Sequence, residues 1–109
     1  MMSVKKFDIT IREGKGFDPA VLIKGLKAKY GGLYTKKLKI ENLTYDNEVV
    51  SEKVSGLQNS IRRGKKLPPI IVIPTNEKDV YKVVDGNHRV AAYLREGIHE
   101  IEALIPNGT

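Results

Sequence analysis

The chain has 109 residues, 40% hydrophobic and 29% charged, which is the composition of one ordinary water-soluble folded domain with a single core. It has no cysteine, so disulfides, thiolate metal ligands and cysteine nucleophiles are excluded together; no apolar run approaches the roughly 20 residues of a membrane span and the start lacks a secretory core, so a cytoplasmic location is expected. The net charge of +6 is uneven: residues 1–40 carry +7, residues 41–60 carry −3, Arg62, Arg63, Lys65 and Lys66 add +4, and the remainder contributes −2.

From the N-terminus, Lys6 to Arg12 alternates with Phe7, Ile9 and Ile11 on one face, the pattern of a half-buried strand that Gly14 and Gly16 break. Asp18 before Pro19 predicts a helix start and Gly31-Gly32 its end after Tyr30. Leu22, Leu26 and Tyr30 form its inward stripe, with Lys24, Lys27 and Lys29 off it. This strand and helix are expected to cover a core; extending the sheet, covering a ligand pocket or presenting lysines to DNA are the alternatives.

Lys37 to Ile40 alternates again, with Leu38 and Ile40 inward, and Glu41 falls just past that strand. Tyr45 to Val50 is turn-like, and Asp46 or Asn47 can cap the next helix. Val50, Val54, Leu57 and Ile61 then repeat at helical spacing up to Gly64. Lys53 and Ser60, seven apart on this helix, can face one direction. Leu67-Pro68-Pro69 leads into Ile70 to Ile73, a continuous apolar run suited to a strand buried on both faces, with Val80 to Val84 as its hairpin partner across the polar turn Thr75 to Asp79. The last strand is Glu100 to Ile105, with Ile101, Ala103 and Ile105 inward and Pro106 after it.

The junction at Asp85-Gly86-Asn87-His88-Arg89 joins a buried strand to a helix carrying Val90, Ala91, Leu94 and Ile98, with Gly97 as its stop. If the helix begins at Asn87, the free N–H groups of its first turn, the macrodipole and the side chains of His88 and Arg89 together outline a phosphate site. The plainer reading makes Asp85 or Asn87 a cap, His88 a solvated residue and Arg89 a partner of Glu96 or Glu100. Asp85, the one acid beside the phosphates, can hold Mg²⁺ through water or simply occupy the loop. His88 and His99 have no second ligand near them in sequence, so zinc is not expected. The basic clusters suit polyphosphate or nucleic acid, and five Tyr, two Phe and no Trp form no stacking ladder.

Lys53-Val-x-x-Leu-x-x-Ser60-Ile-Arg62, Leu67-Pro68-Pro69-Ile70-x-Val72, Tyr81-x-Val83-x-Asp85-Gly86-Asn87-His88-Arg89-x-Ala91-Ala92-Tyr93 and Ile101-x-Ala103-x-Ile105 resemble the ParB/sulfiredoxin superfamily over about Leu38 to Ile105. The resemblance implies a small α/β (α+β) domain, a mixed sheet with about three helices, in which residues 1–37 are an N-terminal strand-helix extension and 38–105 the family core. The turn is most similar to sulfiredoxin's Gly-Cys-His-Arg-x-x-Ala-Ala-Tyr, but Asn87 stands in place of the cysteine. An amide cannot form the thiosulfinate, so sulfiredoxin chemistry is excluded.

What the resemblance carries over is a nucleotide site: Gly86, Asn87, His88 and Arg89 on the phosphates of ATP or another nucleoside polyphosphate, with Lys53 and Ser60 contributing. The ParB branch, which reads Gly-Glu-Arg-Arg and binds CTP, is matched by Gly86 and Arg89. The free-serine kinase branch has a similar Asp-Gly-x-His-Arg turn and a catalytic glutamate near the first strand, for which Glu41 is the nearest candidate. An enzyme of this kind would be an NTP-dependent phosphotransferase or NTPase, with Asp85 or Glu41 acting on metal or acceptor. The alternative is a ParB-like DNA-binding protein using Lys24, Lys27, Arg62, Arg63, Lys65 and Lys66; a nuclease ranks last, without a two-metal carboxylate cluster. With the chain ending at Thr109, a helix-turn-helix domain is not expected, and a homodimer is left open.

Overall fold

A computed structural model describes residues 18–46 and 49–108. The strand expected over Lys6 to Arg12 and the cap at Asn47 lie outside the described residues. Helix α1 spans Pro19–Tyr30 and starts as its sequence predicts: the Asp18 carboxylate accepts from the Ala20 N–H at 2.9 Å, with proline in the first turn, where a missing N–H costs nothing. It stops at Gly31, whose φ of 80° lets its N–H return to the Lys27 carbonyl at 2.8 Å.

Strand β1 then runs over Leu33–Lys39, longer than the expected Lys37 to Ile40, because its pairing with the last strand holds the polar residues Thr35 to Lys37 in the ladder. Ile40 instead opens a single 3₁₀ turn, Ile40–Asn42, that leads into the short β2, Leu43–Thr44. Helix α2 covers Ser51–Arg62. Its cap is Val50, with no side-chain cap bond, so Asp46 does not cap it; Val50 is 51% exposed and lies outside the buried stripe that Val54 anchors.

Strands β3, Ile70–Pro74, and β4, Tyr81–Asp85, form the expected hairpin. Helix α3, Asn87–Arg95, and strand β5, Glu100–Pro106, complete the chain. The sheet order is β1-β5-β3-β4-β2, with β1 antiparallel to β5, β5 parallel to β3, β3 antiparallel to β4 and β4 parallel to β2. This is an α+β fold, a five-stranded mixed sheet with three helices among the described residues.

The sheet is covered on both faces, which is why β3 is apolar at every position from Ile70 to Ile73. Ile70, Val72, Val83, Ile101, Ala103 and Ile105 point to one face, where Val90 of α3 packs. Ile71, Ile73 and Val84 point to the other, where Leu22 and Leu26 of α1 close the core. Helix α1 is therefore the amphipathic cover of one face, on the opposite side of the sheet from α3. The side chain of Leu26 is fully buried there. Leu26→Ala should lower unfolding stability by about 2–4 kcal/mol in urea titration, since truncating a buried leucine loses its transfer energy and leaves a cavity. A loss under about 1 kcal/mol would mean that α1 is not part of the cooperative core.

Candidate functional site

At the end of β4 the ladder is irregular. Ile71 pairs with Asp85 but Val72 with Val83, so Val84 is a bulge residue. The chain then turns through Gly86 at φ 111° and ψ 21°, and α3 starts at Asn87. A Cβ at Gly86 would meet the Ile70 Cγ2 at 2.5 Å and the Arg89 Nε at 3.1 Å, so both conformation and space call for glycine. No side chain caps α3, which corrects the reading of Asp85 or Asn87 as its cap. The N–H groups of Asn87, His88 and Arg89 meet no acceptor among the described residues, while the Val90 N–H returns to the Gly86 carbonyl at 3.0 Å. Three donors and the positive end of a helix dipole thus converge behind the glycine.

The side chains around this opening have definite partners. Arg89 pairs neither with Glu96 nor with Glu100. Its Nη2 donates to the Asp85 Oδ2 at 2.9 Å and its Nη1 donates to the carbonyls of Pro68 and Pro69 at 3.1 and 3.2 Å, with both side chains of the ion pair at least four-fifths buried. The guanidinium therefore lies folded over the turn, between the strand end and the approach to β3. Asp85 is engaged in the same pair, and the described residues hold no group of three His, Asp or Glu side chains able to take a metal.

Asn87 and His88 face the segment before α2. The Asn87 Oδ1 accepts from the Asp46 N–H at 2.9 Å, and the His88 Nε2 accepts from the Val50 N–H at 3.0 Å. An imidazole that accepts at Nε2 carries its proton on Nδ1. Burial pushes the His88 pKa down, the Lys53 ammonium pushes it further, and Asp46 opposes them.

Helices α2 and α3 run side by side in the same direction. Val50 at the start of one meets His88 at the start of the other, and Gln58 and Arg62 near the end of α2 donate to the Glu96 carboxylate just past α3, at 2.8 and 2.9 Å. The Arg62 and Gln58 bonds hold Glu96 below the usual carboxylate range. Lys53 is exposed and sits at the His88 end. Ser60 lies seven residues further, about 10 Å along the axis at 1.5 Å per residue, and its hydroxyl donates to the Gly56 carbonyl at 3.3 Å. The sequence pairs Lys53 with Ser60; the structure brings only Lys53 to the turn.

Glu41 is exposed in the 3₁₀ turn and lines a separate cavity of about 410 Å³ with Lys39, Ile40, Tyr45, Leu94, His99 and Glu100. Of the basic residues, Arg62 is bound to Glu96, Lys66 to Glu102 at 3.3 Å, and Lys24, Lys27, Arg63 and Lys65 are exposed. Sequence reasoning missed the carbonyls of Pro68 and Pro69 and the N–H groups of Asp46 and Val50. Backbone groups of this kind recur along the whole chain, so no residue type announces them; only the Asp85 to Arg89 spacing of four was readable as a pair.

The family model of the ParB N-terminal domain matches residues 32–109. Among solved structures, the chain is 28% identical to sulfiredoxin from Arabidopsis thaliana, covering 70% of this chain and 88% of that one with a TM-score of 0.59. It is 27% identical to the C-terminally truncated chromosome-partitioning protein ParB from Caulobacter crescentus, complexed with CTP-gamma-S, over 66% of this chain and 43% of that one, TM-score 0.57. The fold is also that of a free serine kinase in complex with AMP, at 18% identity, covering 67% of this chain and 31% of that one, TM-score 0.60. The chain thus spans less than half of the partition protein and of the kinase. No curated protein sequence matches it.

Gly86→Ala should destabilise the fold by about 2–4 kcal/mol in urea titration, because it adds backbone strain at positive φ to a clash with Ile70. A change below about 0.5 kcal/mol would show that the turn tolerates a side chain.

Proposed function

The chain belongs to the ParB N-terminal domain family, and on that premise we propose that it binds the phosphates of a nucleoside polyphosphate at the Gly86 turn. The observation that carries this reading is the set of three N–H groups at Asn87, His88 and Arg89 that meet no acceptor among the described residues, held open by a glycine that no other residue can replace without strain. Lys53, in the first turn of α2, is an exposed cation beside that opening. The CTP-gamma-S held by the partition protein and the AMP held by the free serine kinase support the ligand class.

In this reading the phosphates lie on the backbone donors of α3 and Lys53 supplies compensating charge. Arg89 contributes from its place over the turn. Two of its nitrogens are already occupied by Asp85, Pro68 and Pro69, which makes it first the brace of the site. Ser60 stands about two helical turns from Lys53 and is at most a supporting residue. Mg²⁺ would arrive with the nucleotide, because Asp85, the carboxylate at the end of β4, is engaged by Arg89.

A phosphotransferase or NTPase activity would draw on Glu41 or Asp85. Of the two, Glu41 has a carboxylate without a partner among the described residues, and a cavity beside it able to take an acceptor. The nucleic-acid reading is weakened by the ion pairs that engage Arg62 and Lys66.

Calorimetric titration with CTP, ATP and ADP in the presence of Mg²⁺ tests the proposal. Binding at micromolar Kd is expected for at least one nucleotide, and Lys53→Ala, an exposed change, should weaken it about tenfold, equivalent to about 1.4 kcal/mol. Failure of the intact protein to bind any of the three would end the proposal. ADP formation lost in Glu41→Ala would establish the enzyme.

A further inference from the structure

The first two side chains of α3 act in an unexpected sense. A side chain that holds phosphate offers it a proton, whereas Asn87 and His88 each present a lone pair to a backbone N–H, those of Asp46 and Val50. Both contacted groups lie in the chain leading into α2, and Val50 is the cap of that helix. Helix α2 has no side-chain cap of its own. Its start is held instead across 38 residues of sequence by the imidazole of the neighbouring helix.

We propose that His88, with Asn87, is a positioning residue that fixes the start of α2 and so holds Lys53 at the Gly86 turn, rather than a phosphate ligand through its Nε2. The inference rests on the nucleotide reading for what Lys53 does, but the clasp itself exists without a ligand. Geometry gives it direction. Val50 precedes Lys53 by three residues, a little under one turn, so the N–H held by His88 and the Lys53 side chain lie at the same end of α2. The other end is tied independently by Gln58 and Arg62 to Glu96. Two ties, one at each end, set the helix against α3.

Charge gives the clasp a condition. Lys53 on α2 and Asp46 in the chain before it are the charged groups acting on His88; burial and Lys53 favour the neutral imidazole, and they outweigh the opposing pull of Asp46. Protonation would turn Nε2 into a donor facing another donor, and the Val50 bond would be lost. The sign follows from the lowered pKa. The clasp's contribution is present above the ordinary histidine value of about 6.5 and is lost as pH falls through the lower folded value.

The test begins without ligand. Long-range ¹⁵N NMR of the intact protein should show His88 as the Nδ1–H tautomer, with the Val50 amide shift following the His88 titration. Lys53→Ala should raise the His88 pKa by removing the nearby ammonium. An Nε2–H tautomer, a Val50 amide indifferent to that titration, or a His88 pKa unmoved by Lys53→Ala would each overturn the proposal.

The second arm is a double-mutant cycle read as Kd for whichever of CTP or ATP binds with Mg²⁺. His88→Ala and Lys53→Ala should each weaken binding about tenfold, and the double variant should be within about twofold of Lys53→Ala, because one residue acts through the other. His88→Gln, whose amide oxygen can accept from Val50, should restore affinity to within about threefold of the intact protein. Multiplying losses in the double variant would make His88 a direct ligand and overturn the proposal. If the intact protein binds neither nucleotide, the proposed function fails while the NMR arm still decides the clasp.

Discussion

The site depends on a glycine that cannot be anything else and an arginine folded over it. Gly86 lets the chain leave β4 at positive φ with its backbone against Ile70, and the Arg89 guanidinium closes the gap by joining Asp85 to the carbonyls of Pro68 and Pro69. Three parts of the chain meet in that one group: the end of β4, the start of α3 and the approach to β3. An ion pair so enclosed is weak evidence of net stability, because desolvation offsets much of its attraction. Its effect here is geometric, since the planar guanidinium takes its partners in one plane and so fixes the direction in which α3 leaves the sheet.

Everything else at the site is arranged around that departure. Helix α2 lies alongside α3 and is held at both ends, by His88 at the start and by Glu96 at the finish. The two ties differ in chemistry. Glu96 is a carboxylate kept ionised by Arg62 and Gln58, whereas His88 is an imidazole kept neutral by burial and Lys53. The opening between the helices thus combines backbone donors, the exposed Lys53 and a neutral His88, with the Asp46 carboxylate at its edge; the backbone donors and the lysine are the groups suited to an anion.

The sheet supports this arrangement from behind. Both of its faces are covered, and the helix that covers the face away from the site, α1, precedes the segment that the family shares. Its caps and apolar stripe were legible because they are local: Asp18, Pro19 and Gly31 act within four residues of the helix ends. The same holds for the apolar run of β3 and for the turn at Gly86. What could not be read was anything set by pairing. Strand β1 begins four residues earlier than its apolar pattern suggests because β5 lies beside it, and α2 starts at an uncapped valine because a histidine from another helix takes that valine's N–H.

Residue types within a few positions of one another were enough to establish the family, the order of the elements, the absence of thiol chemistry and the place of the glycine turn. Which side chains are available at that turn was left to folding. The sequence offers Asp85 or Asn87 as a cap, Arg89 as a partner of Glu96 or Glu100, and His88 as solvated or on phosphate, but the fold brings to Arg89 two proline carbonyls and to Asn87 and His88 two backbone N–H groups, from segments about 20 to 40 residues away. Backbone donors and acceptors look alike at nearly every position, so only the folded chain can say which of them a side chain will meet.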